Sequence, residues 1–232
     1  MKKNAIKAPF FEIGPKSYLY GDDILELAKA ADAASEKYKV DIIFTCPLVE
    51  LRRVAENTKF IHVFAPHMDP LTPGRGLADV LPESLVAAGA EGVMLNHCEK
   101  PISIATLKAT IKRAEEVGLT TIVCADSEED ASKIATLNPD IIVAEPSALI
   151  GTGVSVGPEY VEAATKCVKD VNPNILVLTA AGIANGTDVY NTIIAGADAT
   201  GSSSGVAKAA DRAAMVDEII AACRKAWDER HK

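Results

Sequence analysis

The chain is predicted to fold as a (β/α)8 barrel, a single domain over residues 1–232, on three observations. Eight short apolar runs alternate with eight stretches of helical spacing. No linker or composition break interrupts the alternation. The glycine-rich turn that follows the first strand of an open dinucleotide-binding sheet is missing, the chain reading GPKSYLYG there. An open doubly wound sheet is the other architecture such alternation allows, and the even count of eight favours closure.

The elements follow in order. The first strand is expected at Phe10–Gly14 and the first helix at Asp22–Tyr38. Asp22 and Asp23 suit a helix N-terminus by capping and dipole, and Ile24, Leu27, Ala28 and Ala31 form an apolar stripe. Strand two, Asp41–Thr45, leads to a shorter helix at Pro47–Asn57, and strand three, Phe60–Ala65, to another at Pro82–Ala88, each with proline near its first turn. Strand four, Gly92–Asn96, precedes a helix over Ser103–Val117 that opens on serine and stops at Gly118. Strand five is Thr120–Ala125, and the helix Ser127–Leu137 places three acids at its positive end. Strand six, Asp140–Glu145, is followed by the helix Pro158–Val171. Strand seven, Ile175–Ala180, is followed by the helix Thr187–Ala195. Strand eight, Ala197–Gly201, is apolar only through its alanines, and the last helix is expected at Val206–Trp227. Near-continuous apolar runs are what parallel strands buried on both faces require.

Composition narrows the function classes. The residues are 48% hydrophobic and 24% charged, as in an ordinary globular chain. No apolar run reaches the roughly 18 residues of a membrane-spanning helix. The basic start, MKKNAIKAPFFEIG, lacks the apolar stretch of a signal peptide. Cys46, Cys98, Cys124, Cys167 and Cys223 are scattered, with no CxxC or Cys/His metal spacing. They are expected to be reduced thiols in a cytoplasmic protein without a metal. The Asn185-Gly-Thr187 sequon then marks only a turn. A net charge of −8, 5% aromatics and no basic block argue against a nucleic-acid partner. A phosphorylated metabolite stays open to such a chain if backbone N–H groups gather at one place.

In a parallel α/β fold, ligands sit where the strands end. Reading those positions gives Lys16 past strand one, Asn96 and His97 past strand four, and Glu145 closing strand six. Turns rich in small residues follow: PSALIGTG after strand six, AGIANG after strand seven and GSSSGV after strand eight. Each feature also has a plainer reading. The histidine could be a hydrogen-bonded structural residue, the glutamate a loop cap, and the lysine a solvated side chain. Together they place a carboxylate, an imidazole and a fixed cation on one rim, beside turns whose N–H groups suit a phosphate. A carboxylate and an imidazole acting on adjacent carbons can move a proton between them, so a small phosphorylated aldose or ketose fits.

On these residues the chain resembles the triosephosphate isomerase family, in its short archaeal-type form, over nearly its full length. LNHCE (Leu95–Glu99) is similar to the family signature around the catalytic histidine, and EPSALIGTGVSV (Glu145–Val156) to the segment holding the catalytic glutamate and the mobile flap. GPKSY, PHMDP, VCADS, AAGI and SSSGVAKA follow the same pattern. The resemblance implies a TIM barrel and an aldose-ketose isomerase of glycolysis and gluconeogenesis, with Glu145 as base, His97 as neutral electrophile and Lys16 stabilising negative charge. Backbone groups at Ile150, Gly151, Gly182, Ser203 and Ser204 would hold the phosphate, with Asn96, Cys98 and Glu99 in support. It implies no cofactor, no metal and a homo-oligomer, the family being dimeric and its short form tetrameric.

The departures from the pattern are local. Gly14 stands where the family has asparagine, Pro15 removes an N–H, and Pro66 replaces a glutamine. Cys98 replaces a serine, Lys100 an arginine, and GRGLADVLPE lacks the Thr-Gly that helps subunits interlock. Triose phosphate is therefore the first expectation for the substrate. An isomerase of the same mechanism acting on a four-carbon ketose phosphate (an erythrulose phosphate) and a non-catalytic phosphosugar-binding paralogue are the alternatives, with an unrelated phosphate-binding barrel behind both.

Overall fold

The computed structural model describes residues 6–180 and 182–232. Eight parallel strands close into a barrel in chain order: β1 (Phe10–Ile13), β2 (Asp41–Thr45), β3 (His62–Ala65), β4 (Gly92–Leu95), β5 (Thr120–Ala125), β6 (Ile141–Ala144), β7 (Leu176–Thr179) and β8 (Ala199–Ser202). β1 closes the ring, with Phe10 beside Asp41 on one side and Ala199 on the other. Around it run α1 (Gly21–Tyr38), α2 (Leu51–Asn57), α3 (Pro82–Ala87), α4 (Ile104–Val117), α5 (Glu128–Ala135), α6 (Pro158–Val171), α7 (Gly186–Ile194), α8 (Ser204–Ala207) and α9 (Arg212–Arg230). Among the described residues, no helix is long and apolar enough to cross a membrane.

The two-residue strand period divides the core into two layers. Phe11, Ile13, Ile42 and Phe44 face outward and pack under the helices, whereas Phe10, Ile43, Phe64, Ile122 and Leu178 fill the barrel. Both layers are apolar, which is why the strands read as unbroken hydrophobic runs. Among the described residues Glu12 is the one buried carboxyl: it falls on the inward face of β1.

All the expected elements form, with ends trimmed and a few reassigned. Ser103 and Ser127 cap α4 and α5, accepting from the N–H groups of Thr106 and Asp130. Asn185 caps α7, accepting from Thr187 and Asp188, so the sequon is a helix start. Asp22 and Asp23 do not cap α1: Tyr20 is its N-cap, and the Gly21 N–H is taken by Glu50 Oε1 at 2.8 Å, while the two acids face the helix dipole and pair with Arg53 and Arg212. Helix α2 starts at Leu51 rather than Pro47, because Pro47–Glu50 forms a turn closed by the Glu50 N–H on the Pro47 carbonyl. The expected helix Val206–Trp227 is two helices. The chain breaks between α8 and α9, where Asp211 accepts from the Ala214 N–H at 3.0 Å and starts a new helix. The alanine-rich run across the break hides it from sequence periodicity.

The N-terminal end of the barrel carries an ion cluster away from the expected chemistry. His62, buried at the start of β3, has Nδ1 2.9 Å from Glu91 Oε2 and Nε2 4.0 Å from Asp41 Oδ1. Burial opposes the ring's charge, but the two carboxylates outweigh it and push its pKa from 6.5 to about 9.

Candidate active site

A cavity of about 800 Å³ opens at the C-terminal ends of the strands. Lys16, His97, Glu99, Glu145, Ile150, Gly151, Gly182, Ser203 and Ser204 all line it. The rim read from strand ends is therefore one site, although its members lie up to some 190 positions apart. Asn96 and Cys98 stand behind it. Asn96, in a left-handed conformation (φ 59°), donates to the Cys124 carbonyl and accepts from the Ile102 N–H, which ties the end of β4 to β5 and to the entry of α4.

His97 has an assignable tautomer. The Glu99 backbone N–H donates to His97 Nδ1 at 3.1 Å, so that nitrogen carries a lone pair and the neutral ring bears its proton on Nε2. Burial and the nearby Lys16 both lower the pKa of the imidazole, which keeps the ring neutral near pH 7. Cys98 Sγ lies 3.8 Å from the same Nδ1, on the side away from the proton. The thiol thus takes a place beside the histidine, as the replaced serine position implied.

Lys16 sits in a left-handed turn (φ 48°) directly after Pro15 and pairs with Glu99 at 2.8 Å. Desolvation works against its charge, and the Glu99 bond more than compensates, so it stays a cation. Glu145 lies beyond β6 with its N–H anchored on the Ala125 carbonyl. Burial raises its pKa; Lys16 pulls it down, and Asp126 and Glu99 push it up, to about 6. The result is a carboxylate ionised at neutral pH but more basic than a solvated one, as a general base needs.

The segment after Glu145 arches over the opening as a short 3₁₀ turn, Ser147–Leu149, followed by glycines at 151 and 153 with φ of 74° and 73°. Its far arm rests on the seventh loop: a Cβ at Gly182 (φ 69°) would stand 2.0 Å from the Val154 carbonyl oxygen. Only glycine lets the two backbones approach so closely. On the same side, Ser203 Oγ is buried without a hydrogen-bond partner among the described residues. A buried unpaired hydroxyl is costly unless a ligand satisfies it.

Three groups of the site were missed by reading strand ends. Glu12 was counted into an apolar run, although it is the one charge in FFEIG and lines the cavity floor. Lys208 also lines the cavity and lies 4.9 Å over the Tyr18 ring. Thr45, the last residue of β2, reaches the cavity from within its strand. The polar residue inside a hydrophobic strand was the available signal for the first and third; for Lys208 there was none.

The sequence was compared with known proteins. The family model for triosephosphate isomerase matches residues 15–223. A triosephosphate isomerase of Methanothermus fervidus is 38% identical over 203 residues, 86% of this chain and 91% of that protein. One from Methanocaldococcus jannaschii is 37% identical over the same length, and one from Sulfolobus acidocaldarius is 33% identical over 229 residues, 97% of this chain and 99% of that protein. With the closed barrel, a family model matched over most of the chain and relatives at 33–38% identity that cover it, the chain belongs to the triosephosphate isomerase family.

Proposed function

We propose that this protein interconverts glyceraldehyde 3-phosphate and dihydroxyacetone phosphate. The observation that carries the reading is the meeting of a basic buried carboxylate, Glu145, and an imidazole with its proton on Nε2, His97, across one cavity. Glu145 takes the proton from the carbon next to the carbonyl. The C–H electron pair becomes the C=C bond of an enediolate, and the carbonyl pair moves onto oxygen. His97 Nε2–H donates to that oxygen, and Lys16 balances its charge. The neighbouring hydroxyl gives up its proton as its C–O bond becomes the new carbonyl, and the former carbonyl oxygen takes a proton from His97 Nε2. The ring thereby passes one proton from oxygen to oxygen, and Glu145 returns its proton to the former carbonyl carbon. The phosphate is held by backbone groups at Ile150, Gly151 and Gly182 and at Ser203 and Ser204, where the unpaired Ser203 hydroxyl supplies one further hydrogen bond. The flap from Pro146 to Gly153 closes over it and keeps water from the enediolate.

The chemistry needs neither metal nor cofactor. A homo-oligomer and a cytoplasmic location complete the reading; the free state of all five cysteines supports the latter. The test is steady-state turnover of both triose phosphates by wild type and Glu145→Gln. The wild type should turn over both, and the variant should lose about 10³-fold or more in kcat, a general base alone contributing roughly 10²–10⁴-fold. Activity should fall on the acid side as Glu145 protonates near pH 6. A wild type that turns over neither sugar, or an undiminished variant, refutes the reading.

A further inference from the structure

Glu12 is placed where the fold gains nothing from it. It shares the inward face of β1 with Phe10 and lines the cavity together with Val143 and Leu178, where an apolar side chain costs less than a carboxyl. Its one hydrogen-bond partner among the described residues is the Thr45 hydroxyl, which donates to Oε1 at 2.5 Å. Oε2 has no donor among the described residues and lies at the cavity lining.

The surrounding backbone is cut away to admit this carboxyl. A Cβ at Gly14 would stand 2.8 Å from Oε1, and one at Gly201 would stand 3.1 Å from Oε2. Position 14, two residues before Lys16, is glycine where the resemblance implies an asparagine. The space such a side chain would enter holds the Glu12 carboxyl instead, rising from two residues earlier. Lys16 and Glu145 are both near enough to act on its charge: burial raises its pKa, Thr45 and Lys16 lower it, and Glu145 raises it, to about 7. A carboxyl in that state offers both a donor and an acceptor at neutral pH.

We propose that Glu12 is a substrate-contacting residue that hydrogen-bonds the oxygen-bearing carbons at the end of the sugar phosphate remote from the phosphate, and so sets specificity there. The polarity of the site fixes which end. A carboxyl next to a phosphate dianion is repelled, whereas the flap glycines and Ser203 present donors to it. Glu12 lies on the strand that leads to Lys16, under the groups that handle the carbonyl and its neighbouring hydroxyl. The inference rests on the isomerase reading for the identity of the substrate, but not for the contact itself.

The test separates the two. Binding of glycerol 3-phosphate, which carries the phosphate and two hydroxyls but cannot isomerise, is measured by calorimetry beside inorganic phosphate. Wild type, Glu12→Leu, Glu12→Ala and Glu12→Gln are compared. Leucine and alanine should weaken glycerol 3-phosphate roughly 10- to 100-fold, the range for losing a hydrogen bond to a buried polar group. Inorganic phosphate should change less than about twofold, since the phosphate end is untouched. Glutamine, which also donates and accepts, should restore most of the affinity. Removing a buried carboxyl should leave melting temperature equal or higher, which a purely structural role for Glu12 contradicts. Unchanged glycerol 3-phosphate binding in a folded Leu or Ala variant overturns the proposal, as does an equal loss for both ligands. Absence of triose phosphate turnover in wild type counts against the isomerase reading alone, and the binding comparison still decides the role of Glu12.

Discussion

The His62 cluster makes stability fall on the alkaline side in a calculable way. The folded-state pKa of about 9 lies above the ordinary 6.5, so the folded protein holds its proton more tightly than the unfolded chain. The stabilisation is fully present below pH 6.5 and is lost as the pH rises through 9. At about 1.36 kcal/mol per pH unit, the difference amounts to about 3 kcal/mol between pH 6 and pH 10. The contact geometry agrees with the sign: Glu91 makes the hydrogen bond at 2.9 Å, and Asp41, at 4.0 Å, acts as a second charge rather than a hydrogen bond. Urea unfolding of wild type and His62→Gln across that range measures it. Groups not coupled to His62 titrate equally in both proteins and cancel in the difference. Wild type should lose about 3 kcal/mol relative to the variant between the two ends, most of it between pH 7 and 9. Parallel stability curves for the two proteins refute the reasoning.

Two further predictions concern the rim. Gly182→Ala should keep the barrel, by circular dichroism, but lower kcat/KM about tenfold or more, because the new methyl meets the Val154 carbonyl and the left-handed backbone adds strain of about 1 kcal/mol; an unaffected kcat/KM means the flap does not rest where it is described. Alkylation of Cys98 should be slow at pH 7, because burial and then Asp126 push its thiol pKa up, and the rate should still be climbing at pH 9. Modification should inactivate the protein and glycerol 3-phosphate should slow it, while full activity after complete modification contradicts the placement beside His97.

The fold was legible because its signal is repeated. Eight strands buried on both faces each print an apolar run, and Ser103, Ser127 and Pro82 mark helix starts by chemistry that acts within a few residues. The break between α8 and α9 was not legible, since alanine fills helices and their flanks alike and the decisive Asp211 cap resembles any surface acid. The chemical side chains at strand ends were legible because a parallel barrel always exposes that position. Glu12 was not, as it acts from inside a strand, and its setting depends on Gly14, Thr45 and Gly201, brought together only by closure. The capping of α1 by Glu50 likewise depends on a contact between separate helices that no local pattern records.

Closure of the ring through β1 and β8 also bears on how the chain is made. Phe10 pairs with Ala199, so one edge of the first strand waits for the last. At a synthesis rate of about 5–20 residues per second, the intervening chain takes roughly 10–40 s to emerge. For that interval β1 presents unsatisfied backbone groups and two adjacent phenylalanines, Phe10 and Phe11, with no native neighbour on that side. The ribosome therefore releases each strand into a sheet that remains open until the end, and a nascent barrel of this kind is a natural client for factors that shield exposed edges. Glu12, a charge between Phe11 and Ile13, then serves the growing chain as well, by interrupting the apolar run of the strand whose second edge stays open longest.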